Sequence, residues 1–129
     1  GNEINSMYMA NMPSLLTLIC SDNNMTSLVI KNCNNLEDLV CSYNRLTSLE
    51  VNGCDNLQFV DCSYNDLSTL TLSNQPLLQR LLCNNNFITN LDVSYDTQLT
   101  YINCRSNQIF TFTTIGCDNL RMVACQWNM

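Results

Sequence analysis

Apolar residues recur along this chain with a period of 21 residues. In each unit a leucine is followed by a second apolar residue, then a cysteine and an asparagine. The leucines are Leu15, Leu36, Leu57, Leu78, Leu99 and Leu120, and the second apolar residues are Leu18, Leu39, Val60, Leu81, Ile102 and Val123. The cysteines are Cys20, Cys41, Cys62, Cys83, Cys104 and Cys125, and the asparagines are Asn23, Asn44, Asn65, Asn86, Asn107 and Asn128, with Asn2 one period earlier. A fixed period of this length predicts a repeat architecture.

The second half of each unit has its own apolar pattern, which resembles the first. Its apolar positions are Met25, Leu28 and Ile30 in one unit and Leu46, Leu49 and Val51 in the next. Both halves end in an apolar-x-apolar alternation, the period-two pattern of a half-buried strand. Neither half has helical periodicity over ten residues. We therefore predict a mostly β fold with little or no α-helix.

One coil cannot bury its own apolar face, so neighbouring coils must cover it. We predict a solenoid of about six coils, with strands about 4.8 Å apart in a parallel, in-register sheet on the concave side. The convex side should be extended or form short strands. Residues 1–129 are interpreted as one solenoid domain and, because the chain starts and stops in mid-repeat, as a fragment of a larger protein. The units are a partial repeat 1–14, full repeats 15–35, 36–56, 57–77, 78–98 and 99–119, and a partial repeat 120–129.

The phrase L-x-x-L-x-C-x-x-N-x-L resembles the leucine-rich-repeat signature, in the variant that has cysteine at an apolar position. A 21-residue unit with two nested halves is similar to the bacterial nested, or IRREKO-type, repeats, relatives of the internalin-like class. The resemblance covers essentially the whole chain and implies a recognition module, often on a secreted or surface protein. The chain departs from the pattern at residues 110–114, and neither end shows a capping segment.

Charge and composition exclude several classes of partner. The net charge is -6, from 11 acidic and 5 basic residues, so the basic stripe needed to bind a phosphate backbone is missing. We predict no nucleic-acid partner. No apolar run reaches the roughly 18 residues that a membrane span needs, so we predict no membrane insertion. The sequence contains no recognisable targeting signal.

The nine cysteines carry no metal-site or redox pattern. No C-x-x-C pair exists and histidine is absent, so we predict neither a metal nor another cofactor. Neighbouring ladder cysteines on parallel strands are awkwardly placed for disulfides, so we predict free, buried thiols. Cys33, Cys54 and Cys117 share a second repeat position, and Cys33 with Cys54, one coil apart and near the surface, is the pair expected to oxidise if any does. Free thiols favour a reducing compartment, against the surface location that the resemblance implies, so localisation stays open.

The asparagine row has a structural explanation, since stacked amides can bond to one another and to turn backbone. Catalysis is not expected. Without histidine, a serine or cysteine nucleophile has no ordinary base.

Differences between repeats are the remaining signal for function. Aromatic and arginine side chains, which are enriched at binding hot spots, concentrate on the outward face of the first strand. The face is polarised, with acidic residues (Asp22, Glu37, Asp38, Asp61) towards its N-terminal end and basic residues (Arg80, Arg105, Arg121) towards its C-terminal end. We predict a module that binds a protein or glycan there. The candidate contacts are Tyr43, Phe59, Tyr64, Arg80, Tyr101, Arg105 and Trp127.

Two other functions fit the same pattern. The first is a structural spacer or stalk that self-associates end to end, with no selective ligand. The second is ice binding through the Thr/Ser-rich outward face of the second strand, although Glu50 and Asp92 interrupt that face.

Overall fold

The computed structural model describes residues 3–72 and 75–128 and confirms the predicted solenoid. Asn2 lies outside the described residues. The described part of the chain contains eleven strands and no helix. The strands are β1 (Ser6–Ala10), β2 (Thr17–Ile19), β3 (Ser27–Lys31), β4 (Asp38–Val40), β5 (Ser48–Asn52), β6 (Phe59–Asp61), β7 (Arg80–Leu82), β8 (Asn90–Asp92), β9 (Tyr101–Asn103), β10 (Thr111–Thr113) and β11 (Met122–Ala124).

The first strand of each repeat joins one continuous parallel sheet of six strands, in the order β2-β4-β6-β7-β9-β11. Every pair is in register at an offset of 21 residues, for example Phe59 opposite Arg80 and Arg80 opposite Tyr101. We call this six-stranded surface the concave sheet. It places one residue of each coil beside its counterpart in the next, so the outward side chains form rows along the stack.

The other side of the solenoid carries two shorter parallel sheets, β1-β3-β5 and β8-β10. Residues 68–72, which lie between them in sequence, form no strand. The segment at 110–114 departs from the apolar pattern of its repeat, yet β10 still pairs with β8 and sets the half-buried Phe112 beside Leu91. Short strands therefore form the convex side, as predicted.

The core lies between these sheets and consists of the predicted apolar rows. Leu39, Val60, Leu81 and Ile102, at the centres of successive concave strands, have no exposed surface. The cysteine row is buried and its thiols are free, except that Cys125 in the last coil is exposed. The expectation that Cys33 and Cys54 lie near the surface is wrong, because the next coil covers both and each is 0% exposed. Each coil thus completes the core of its neighbour.

The asparagine row connects consecutive coils through the backbone. Asn65 donates its Nδ2 to the carbonyls of Cys41, Cys62 and Ser63 at 3.1, 3.1 and 3.2 Å, and its Oδ1 accepts the Leu46 N–H at 2.9 Å. Asn44, Asn86 and Asn107 repeat this arrangement. Within the described part of this row no amide bonds to another amide, contrary to the expectation, because the Nδ2 and Oδ1 atoms of Asn65 and its counterparts are already bonded to backbone groups.

Candidate binding surface

The structure brings three predicted contact residues together at the centre of the concave sheet. Phe59, Arg80 and Tyr101 begin β6, β7 and β9, and the in-register pairing sets their side chains in one row. The Arg80 guanidinium carbon lies 5.4 Å from the centroid of the Phe59 ring and 5.6 Å from that of the Tyr101 ring. Both distances fall within the range of cation–π attraction. We call these three residues the arginine sandwich.

A second outward row of the concave sheet, next to the row of the arginine sandwich, is largely apolar. It is formed by the last residues of the six strands, which are Ile19, Val40, Asp61, Leu82, Asn103 and Ala124. Ile19 is 71% exposed, which is unusual for an isoleucine. Leu16, which precedes β2, and Met122, which begins β11, are also exposed. The 21-residue period predicts that these side chains point outwards. They are not among the candidate contacts because those were restricted to aromatic and arginine residues.

Tyr43 and Tyr64 also lie together, but in a turn and not on the strand face to which they were assigned. β4 ends at Val40 and β6 at Asp61, and the tyrosines follow with φ angles of 54°. Their rings stack with centroids 4.4 Å apart and planes 9° apart. We call this pair the tyrosine stack. It borders the concave sheet at the end where its strands finish.

The tyrosine stack occupies a row in which every coil adopts the left-handed conformation. The row also contains Asp22, Asn85, Ser106 and Trp127, all with φ between 53° and 59°. Bulky side chains rarely adopt this conformation, whereas asparagine tolerates it. The turn must reverse the chain after each strand, so its backbone is the same whichever side chain a coil provides. Sequence periodicity located the row but did not show its positive φ.

Arg105 and Trp127 lie in the last two coils, away from the tyrosine stack. Arg105 follows the ladder cysteine of its coil, and its Nε donates to the Oε1 of Gln126 in the next coil. Trp127 follows Gln126 and is 76% exposed. It stands three coils from Tyr64, or about 14 Å along the stack. The seven predicted contacts therefore form a central sandwich, a tyrosine stack towards the N-terminus and a C-terminal group.

The predicted charge polarity is present on this face and is not neutralised within it. Among the described residues the one ion pair joins Lys31 and Glu50, 2.9 Å apart, on the convex side. Asp61 accepts hydrogen bonds from the Ser63 N–H and hydroxyl, at 3.0 and 2.6 Å. Partial burial, and then the neighbouring Tyr64, raise the pKa of the Tyr43 hydroxyl.

The buried chemistry of the chain serves the scaffold. Burial raises the pKa of the Cys62 thiol to about 12, so this sulfur is protonated at neutral pH and is not a thiolate nucleophile. Burial also raises the thiol pKa of Cys41 and Cys83 well above its ordinary value. Within residues 3–72 and 75–128, no group of three or more cysteine, aspartate or glutamate side chains is arranged to hold a metal ion. No helix in these ranges is long and apolar enough to cross a membrane.

The row of Cys33 and Cys54 contains a polar substitution that sequence reasoning missed. One and two coils after Cys54, the same position is occupied by Gln75 and Asp96, before cysteine returns at Cys117. Asp96 is fully buried; its Oδ1 accepts the Gln75 N–H at 3.2 Å, while its Oδ2 has no partner. Burial raises the pKa of Asp96 to about 6. The signal in the sequence was the absence of cysteine at those two repeats.

A groove of about 190 Å³ opens at the C-terminal end of the stack. It is lined by Cys104, Ile109, Phe110, Phe112, Cys125 and Asn128. Apart from Phe110, which is 77% exposed, its walls are inward positions of the last coils, which in the middle of the stack are covered by the following coil. The groove is thus a continuation of the core.

Comparison with known proteins gives one informative similarity. No family model matches the sequence, and no curated protein matches it. Among solved structures, the chain is similar to the functional domain of InlJ from Listeria monocytogenes, which includes a cysteine ladder. The similarity has a TM-score of 0.70 and 31% sequence identity over 82% of this chain. This chain spans 26% of the length of that one.

Proposed function

We propose that this leucine-rich-repeat protein, whose 21-residue coils carry a cysteine ladder, binds a protein or glycan on its concave sheet. The observation that carries the proposal is the arginine sandwich. It holds an arginine and two aromatic side chains in a fixed arrangement at the centre of an exposed sheet. A rigid anchor loses little conformational entropy on binding, and Arg and Tyr are the residue types that dominate binding energy.

The tyrosine stack supports the same surface. A non-glycine residue in the left-handed conformation costs on the order of 1 kcal/mol or more. Asn85 occupies the same row, so the scaffold accepts a residue that suits this backbone better than tyrosine does. Packing of the core does not require Tyr43 or Tyr64, because both side chains are exposed. The stacked pair therefore offers a ligand two exposed aromatic rings at the border of the concave sheet.

The similarity to InlJ adds weight to recognition over a purely structural role. In that protein, the domain with the cysteine ladder is described as functional. A solenoid with a cysteine ladder therefore belongs to a functional domain in that protein. The ligand of the present chain is a separate matter, which depends on the residues that differ between coils.

The proposal is tested by a double substitution on the concave side, Tyr64→Ala with Arg105→Ala. The matched control is Tyr95→Ala with Arg45→Ala, since Tyr95 is another exposed tyrosine with positive φ and Arg45 is an exposed arginine outside the concave sheet. Both variants are compared with the unmodified chain for capture of the partner recovered by pull-down, and for thermal unfolding. We expect the concave variant to lose capture while the control retains it. Equal capture by two folded variants would rule out the concave sheet.

The rival function, a spacer that stacks end to end, is favoured by the apolar end of the last coil. Leu120 is half-buried there and Val123 is 37% exposed. Stacking would appear as light scattering that rises with protein concentration in the absence of any partner, and would be abolished by adding a polar cap. Ice binding has less support, because the convex side is divided into two sheets and the Thr26 and Thr47 hydroxyls donate to backbone carbonyls.

A further inference from the structure

The arginine sandwich leaves Arg80 with a defined free edge. Arg80 lies between Phe59 and Tyr101 in the row and its guanidinium carbon lies over both rings, so the N–H groups that a ligand can reach are those between the rings, on the open side of the sheet. Arg80 is exposed, and within the described residues its guanidinium has neither an ion pair nor a side-chain hydrogen bond. A planar fork of unpaired donors matches a carboxylate, which it can bind through two parallel bonds.

On the C-terminal side of Arg80 the concave sheet is basic, although the chain as a whole carries a net charge of -6 and the adjacent strand on the N-terminal side ends in Asp61. Arg105 lies on the same side one coil further on, and Arg121 begins the following coil. From residue 78 onwards the acidic side chains are Asp92, Asp96 and Asp118, and none of them belongs to the concave sheet. The C-terminal half of the concave sheet therefore presents arginines without a compensating carboxylate.

The stacking also disfavours a sugar at this position. A sugar ring binds an aromatic side chain by lying on its face, but Phe59 and Tyr101 each turn a face to Arg80. Tyr43 and Tyr64 likewise cover one face of each other. What the sandwich offers a ligand is mainly the charged edge of Arg80, with ring edges on either side.

We propose that Arg80 binds a carboxylate side chain of an acidic segment in a protein partner, and that Arg105 binds a second carboxylate of the same segment. This inference rests on the proposed recognition function and specifies the chemistry of its partner. The two rings hold the guanidinium in the orientation that a bidentate bond requires, so Phe59 and Tyr101 act as positioning residues. The acidic residues at the other end of the sheet, Asp38 among them, set the direction in which the segment lies by repelling it.

The probe is a short capped peptide that alternates Glu and Thr, with the Gln-for-Glu peptide as its neutral counterpart. Binding is followed by NMR titration of the unmodified chain, Arg80→Gln and Arg45→Gln, each first checked for an unchanged thermal midpoint. The two variants change the net charge equally, but only one affects the sandwich. We expect Arg80→Gln to weaken binding of the Glu peptide by about tenfold or more, because a charge-assisted bidentate pair is lost. Arg45→Gln should bind as the unmodified chain does.

A further variant, Phe59→Leu with Tyr101→Leu, keeps the charge and removes the stacking. It should weaken binding by a smaller factor and broaden the Arg80 Nε–H resonance, which a purely electrostatic role of Arg80 would not do. Equal loss in Arg80→Gln and Arg45→Gln, or equal binding of the two peptides, would overturn the proposal. So would failure of the Glu peptide to bind while glucuronate-containing oligosaccharides bind. In all these cases the capture experiment with the double variants still tests the recognition function independently.

Discussion

Replacement of one ladder asparagine in the middle of the stack, Asn65→Ala, should be among the most destabilising single substitutions in this chain. The side chain is buried and makes four hydrogen bonds to backbone groups. The carbonyl of Cys41 keeps a second donor, Asn44, and that of Cys62 keeps Asn86. The Leu46 N–H has no other hydrogen-bond acceptor among the described residues. Leu46 is fully buried, so water cannot replace the lost acceptor.

The magnitude follows from these partners. An orphaned buried N–H costs about 2 kcal/mol, and the two lost hydrogens of the amide contribute about 1 kcal/mol each, for a total of about 4 kcal/mol. Asn23→Ala is the matched control, because Asn23 donates only within its own turn, to Cys20 and Ser21, and its Oδ1 has no partner. That substitution should cost about 1–2 kcal/mol.

The free energy of unfolding is measured by urea titration followed by circular dichroism, with the slope of the transition checked for two-state behaviour. If Asn65→Ala costs no more free energy of unfolding than Asn23→Ala, the bonds that Asn65 makes to the preceding coil contribute nothing measurable to stability.

Three other experiments test the remaining features. Burial raises the pKa of Asp96 to about 6 from 3.8. The contribution of its protonated form to stability is therefore complete at low pH and is lost as pH rises through 6. In the wild-type chain the urea midpoint should fall between pH 4 and pH 6, and Asp96→Asn should make this pH dependence flatter. Tyr43→Asn with Tyr64→Asn should weaken partner capture without lowering the thermal midpoint, and a lower midpoint would mean that the tyrosines are structural. Among the ladder thiols, Cys125 should react with a thiol reagent in the native state, while Cys62 should react only on unfolding. Cys62→Ser should lower the free energy of unfolding by about 1–3 kcal/mol, and Cys125→Ser should hardly change it.

Most of the scaffold could be predicted because each position is determined by the same position in the adjacent coil. Leu39 and Val60 are buried for a reason visible in the sequence, namely an apolar residue at every offset of 21. The same period separates Phe59, Arg80 and Tyr101 and so, in an in-register sheet, places them in one row. It did not predict that Arg80 would insert between the two rings, because stacking depends on side-chain rotamers that periodicity does not determine.

The misplaced tyrosines have a different cause. The alternation of outward residues along a strand was extended past its end, although β4 is only three residues long. Tyr43 therefore belongs to a turn, where a positive φ turns the side chain towards a neighbouring coil. The buried polar residues Gln75 and Asp96 were not predicted, because the cysteines that precede and follow them in the same row indicate an apolar position.

The shared backbone partners of the asparagine row have a consequence for how such a chain can change in length. Each hydrogen bond of the Asn65 side chain lies within its own coil or reaches the preceding one. A whole unit of 21 residues can therefore be gained or lost while every remaining coil keeps an intact set of partners. A unit gained between the coils of Tyr101 and Trp127 would move Trp127 about 4.8 Å further from the arginine sandwich, which lies in the preceding coils. The scaffold thus permits the spacing of its contact residues to be adjusted in discrete steps, without any change in the core that supports them.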